Sequence, residues 1–121
     1  TAEPTVGTYP AFEPDDYTYT LVVNCFCADG GVPIQVTVAN GEVTDAVYAA
    51  TRGGVKKGDP VEDYRRLTIN DVIDAANDTK ADQVDVVWPA GQDYPTSVHV
   101  DPDKRAMDEE VGYEVSDVTV A

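Results

Sequence analysis

Tyr17-Thr18-Tyr19-Thr20-Leu21-Val22-Val23-Asn24-Cys25-Phe26-Cys27 is the stretch on which the fold turns. Tyr17, Tyr19, Leu21, Val23, Cys25 and Cys27 share one parity, and Thr18, Thr20, Val22, Asn24 and Phe26 the other. Period two with aromatic and β-branched residues marks a half-buried strand. Side chains two apart point the same way, so both sulfurs are expected on the core side.

Working outward, Ile34, Val36 and Val38 alternate with polar residues before Asn40-Gly41, and an extended pattern resumes at Val43, Asp45 and Val47. Asn-Gly between two β-prone runs predicts a hairpin, because a type I′ turn needs positive φ at both central positions. Residues 50–67 carry Gly53-Gly54, Gly58 and Pro60 and read as one long loop. Thr68 then opens a helix, with Ile69, Val72, Ile73 and Ala76 on one stripe and Asp71 at the third helical position; it is expected to end by Lys80. Val84, Val86 and Trp88 predict one further strand, and Thr96, Val98 and Val100 a second. Tyr113 to Val120 predicts a last one, with a slip of phase near Asp117 suggesting a bulge. The expected fold is α+β: a single antiparallel β-sheet, in the order β-β-β-α-β-β-β, with one α-helix packed on one face. Residues 1–14, with three prolines and only acidic charges, read as a flexible or extended arm, either one that follows a removed export signal or one left by truncation. Residues 15–121 form the single domain.

The chain has 121 residues and a net charge of −15, from 23 acidic and 8 basic side chains. A phosphate backbone would be repelled, which argues against nucleic acid as a partner. No run approaches the roughly 18–20 apolar residues of a membrane span. Five of the eight cations, Arg52, Lys56, Lys57, Arg65 and Arg66, fall in 15 residues opposed only by Asp59, Glu62 and Asp63. That basic loop is a candidate contact for an anionic partner, or docks back on the domain's own carboxylates.

Cys25 and Cys27 are the only thiols. Residues i and i+2 of a strand lie about 6.5–7 Å apart, at the upper limit for a disulfide, so a bridge needs a local kink. Ala28-Asp29-Gly30-Gly31 would permit one. Three readings stand: a local disulfide formed after export, contributing about 1.6 kcal/mol for so short a loop; two reduced, buried thiols; or a redox-active or soft-metal pair.

Ser97, His99 and Asp101 share one strand face, but nothing nearby resembles a nucleophile elbow, and they read as the wet side of a strand. Asp101, Asp103, Asp108, Glu109 and Glu110 gather carboxylates near a turn and are weak calcium candidates. The EF-hand pattern fails, since Arg105 stands at a ligand position and Gly112 where the bidentate glutamate belongs.

Asp16-Tyr17-Thr18-Tyr19 leading to Cys25-x-Cys27, Val36-x-Val38-x-Asn40-Gly41, Thr68-Ile69-Asn70-Asp71, Tyr94-Pro95-Thr96 and Asp108-Glu109-Glu110-x-x-Tyr113 occur in this order. In this the chain resembles domain of unknown function 6174, found in bacterial secreted proteins and lipoproteins. The resemblance implies an extracytoplasmic location and supplies no reaction or site residues. The lipid-bearing cysteine of a lipoprotein is not seen. The expectation is therefore an exported, non-enzymatic, monomeric domain without cofactor, binding a protein or envelope component through the sheet face that the helix leaves uncovered. The alternatives are a redox or metal-linked role for Cys25 and Cys27, and calcium binding at the acidic turn.

Overall fold

A computed structural model describes residues 6–24, 31–52, 54–102 and 110–121. Six strands, β1 (Tyr17–Asn24), β2 (Ile34–Ala39), β3 (Glu42–Tyr48), β4 (Gln83–Val87), β5 (Ser97–Asp101) and β6 (Val111–Val120), form one antiparallel sheet in the spatial order β3-β2-β1-β6-β5-β4. Among the described residues one α-helix, α1 (Ile69–Ala76), lies between β3 and β4 in the chain, preceded by a 3-10 turn at Asp63–Arg65.

The α+β expectation needs correction. The molecule is mostly sheet, with one helix of only eight residues, and the simple order given above leaves out the separate 3-10 turn. The helix is short for a physical reason. Its apolar stripe, Ile69, Val72, Ile73 and Ala76, is fully buried, but beyond it Asn77 turns its carboxamide away to other partners. Asp78 then accepts the Lys80 and Ala81 amides, which turns the chain toward β4. At the other end Thr68 and Asp71 form a reciprocal capping box, with Thr68 Oγ1 accepting from Asp71 N at 3.1 Å and Asp71 accepting from Thr68 N at 2.8 Å.

The core lies between the helix and one face of the sheet. Tyr17, Tyr19, Leu21 and Val23 of β1 are buried there as their alternation predicts, beside Ile34, Val36, Val38, Val98, Val100 and Val115. Asn40 and Gly41, at φ 55° and 77°, make the β2–β3 turn. Asp117, at φ 52°, marks the bulge that shifts the β1–β6 register between Thr18 and Thr20. The opposite face carries Thr18, Thr20, Gln35, Thr37, Glu114, Ser116 and His99 and is mostly polar, with Val22, Val47 and the exposed Val87 set among them.

Two β1 tyrosines hold the start of the helix. Tyr17 Oη accepts from Ile69 N at 2.8 Å, satisfying a helix N-terminal amide, and Tyr19 Oη donates to Leu67 O. Burial pushes both hydroxyls above the ordinary tyrosine value, and Tyr113 likewise. These phenols hold their protons more tightly folded than unfolded. Their contribution is therefore complete below about pH 10, the unfolded value, and disappears as pH climbs toward the folded ones. Urea midpoints are expected to stay flat from pH 7 to 9 and fall steeply above 10. The Tyr17→Phe/Tyr19→Phe double variant should show a shallower alkaline limb, and an unchanged limb would contradict this account.

Candidate functional site

The N-terminal segment forms one wall of a broad concavity. Residues 6–7 make a turn and residues 8–14 belong to no helix or strand, yet the segment packs against the domain. Phe12 is 4 % exposed and enters the core, edge-on to Tyr17 at 5.0 Å and to Tyr94 at 5.8 Å between ring centroids. Two asparagine carboxamides pair with the backbone of this segment as a neighbouring strand would. Asn70 accepts from Phe12 N (2.7 Å) and donates to Phe12 O (3.0 Å), while Asn77 accepts from Tyr9 N (2.8 Å) and donates to Tyr9 O (3.0 Å). The spacings match: seven helical residues rise about 10.5 Å, and three extended residues span about 10 Å. The segment thus runs antiparallel to the helix and is measured by it.

This docking places Tyr9 flat against Trp88, with ring centroids 5.2 Å apart and planes 7° from parallel. Trp88 lies just past β4, where Gly91 at φ 82° helps turn the chain. Its Nε1 donates to Gln92 O at 2.6 Å, and the Gln92 carboxamide donates to Tyr94 O and Thr96 Oγ1, so the ring and the turn fix each other. Between segment and turn runs an open groove of about 840 Å³, in the size range of small-ligand sites. Its lining is aromatic, proline-rich and aliphatic. Among the described residues the charged groups along it are Glu13 and Asp93, both carboxylates.

The residues singled out from sequence do not converge. Cys25 and Cys27 lie outside the described residues, as do Asp103, Asp108 and Glu109. Asp101 is 7 % exposed at the end of β5, and Glu110 Oε2 stands 3.9 Å from His99 Nε2, whose ring packs over Gly112. Among the described residues no group of three or more histidine, cysteine, aspartate or glutamate side chains is placed to hold a metal ion. The basic loop is dispersed. Arg52, Lys56 and Lys57 are exposed, with Arg52 Nη2 donating to Gly31 O. Arg66 lines a smaller hollow of about 490 Å³ with Asp63 and Asp71. Arg65 is 1 % exposed, because the 3-10 turn tucks it inside, so it is no partner contact. The loop also lies along β3: Tyr48 N donates to Asp59 O, Gly58 N to Tyr48 O and Val61 N to Ala46 O. It covers that edge of the sheet, remote from the groove at β4.

Fold and groove together define a small antiparallel-sheet domain whose N-terminal segment builds one wall of an acidic, aromatic concavity. The chain is matched over residues 1–120 by the family of unknown function DUF6174, and it belongs to that family. No curated protein and no solved structure matches it. Among the described residues no helix is long and apolar enough to cross a membrane.

Proposed function

We propose that this is an exported, non-enzymatic binding domain whose groove takes a basic segment of a partner protein or envelope component. The observation that carries the reading is the groove itself: Tyr9, Trp88 and three prolines supply apolar surface, and its charges among the described residues are the carboxylates of Glu13 and Asp93. Binding sites combine such a lining with a few placed polar groups, and opposite charge adds attraction and steering. The face opposite the helix is mostly polar, which favours the groove over that face. Export is in keeping with the excess of acidic residues and with the secreted relatives that the family resemblance implies.

The test is to pan a random nonapeptide display library against the intact domain and against a Glu13→Lys/Asp93→Lys double variant. Both side chains are exposed, so the fold should tolerate the change. Enriched peptides are expected to be rich in Arg and Lys, to shift the emission of Trp88, the only tryptophan, and to bind the double variant at least about 10-fold more weakly. Failure to enrich binders, or binders indifferent to both the variant and Trp88, would defeat the reading.

A further inference from the structure

The groove adjoins a sheet edge that nothing covers among the described residues. Sheet parity identifies its free groups. Val115 N donates to Thr96 O, so Val98 and Val100 direct their backbone groups toward β6, while the Thr96 amide, at the start of the strand, turns to Val87 O of β4. Ser97, His99 and Asp101 must then face β4, where they pair with Val87, Asp85 and Gln83. Val84 and Val86 are left directing their N–H and C=O outward, and no backbone bond to either is found beyond the β4–β5 ladder. At the other end of the sheet the equivalent outward residues, Ala46 and Tyr48, are bonded by residues 58–61. Among the described residues, one edge is closed by the chain's own loop and the other is open.

We infer that the partner segment binds as a seventh, antiparallel strand on β4, with a basic side chain opposite Asp85 and apolar side chains beside Val84 and Val86. This rests on the groove reading and specifies its occupant. An added strand bonding to Val84 and Val86 alternates its side chains as β4 does. Those opposite the two valines point to the helix side, where Val86 and Trp88 line the groove. Those between them point to the other face, against the exposed Asp85, whose Oδ2 already accepts from Gln83 Nε2. Charge separates this occupant from a second copy of the chain. Symmetric pairing of β4 through both valines sets Asp85 directly opposite Asp85 of the other copy at the closest approach of a sheet pair. The register centred on Val84 needs the Asp82 amide, which donates to Pro102 O. Each copy also carries −15, whereas a basic strand is attracted.

The experiment uses the intact domain and the cation-rich peptides that the library yields. Amide exchange is followed by NMR in the free and bound states. Each peptide is also made in two N-methylated forms, blocking alternate amides of opposite parity. The Val84 and Val86 amides are expected to become protected at least about 10-fold on binding. One N-methyl form should bind at least about 10-fold more weakly and the other nearly normally. Asp85→Lys should weaken basic peptides about 10-fold with the fold intact, as the side chain is exposed. Peptides that shift Trp88 emission without protecting the two valine amides, or that tolerate both N-methyl patterns equally, would overturn strand addition while leaving the groove reading standing. Protection that appears only with rising protein concentration would identify a second copy and overturn it too. A library without binders overturns both.

Discussion

Tyr19→Ala is expected to remove about 4 kcal/mol of folding free energy, the largest single-residue loss in the molecule. Tyr19 is 0 % exposed, on the central pair of strands, facing the helix. Truncating a buried aromatic side chain costs about 3–5 kcal/mol through lost transfer energy and the cavity left behind. The hydroxyl adds to this. It donates to Leu67 O at the entry to the helix, and its loss strips that buried carbonyl of a donor. Tyr19→Phe separates the two parts and should cost about 1–2 kcal/mol, since the ring volume stays. At about 0.05–0.15 kcal/mol per residue, 121 residues carry roughly 6–18 kcal/mol in all, so the alanine variant should fold but with a much lower urea midpoint. A loss below about 1 kcal/mol would mean that β1 does not present this ring to the core.

The elements carried by local chemistry were legible in the sequence. Alternation put Tyr17, Tyr19, Leu21 and Val23 on one face, Asn40-Gly41 set a hairpin because few residues tolerate positive φ, and the slip at Asp117 marked a real bulge. Thr68 and Asp71 announced the helix start for the same reason: a cap is a contact between residues three apart. What stayed hidden depends on long separations. No periodicity reveals that β1 pairs with β6, or that β4 is the outer strand. Arg65 sits in a run of charges that reads as surface, yet its turn carries it inward. The groove was missed because its wall looked like a polar, proline-rich lead-in. A signal existed there. Tyr9 and Phe12 are aromatic residues three apart, and Asn70 and Asn77 are seven apart on and just beyond a helix. The two spacings span the same distance, but only a structure shows which pair meets which.

That hidden docking underlies the second large effect. Phe12→Ala should cost about 3 kcal/mol and open the groove at the same time. The ring is an anchor between Tyr17 and Tyr94, and its removal leaves a void under the segment. The value lies at the low end for an aromatic truncation because a segment outside the sheet can settle into part of the space. Without the anchor, residues 7–12 lean on the Asn70 and Asn77 carboxamides, each through hydrogen bonds worth about 1 kcal/mol net, and on the Tyr9–Trp88 stack. Such part-buried bonds are also open to competition from water. Tyr9 should then leave Trp88, so the single tryptophan is expected to emit at longer wavelength and the amides of Gly7, Tyr9 and Phe12 to exchange rapidly. The sheet amides should keep most of their protection, which distinguishes a lost wall from a molten domain. Asn70→Ala should cost about 1–2 kcal/mol alone. Combined with Phe12→Ala it should add almost nothing, because both variants release the same stretch of chain. Strict additivity of the two, or Phe12→Ala with unshifted Trp88 emission, would show that the segment is held by something other than this ring and this clamp.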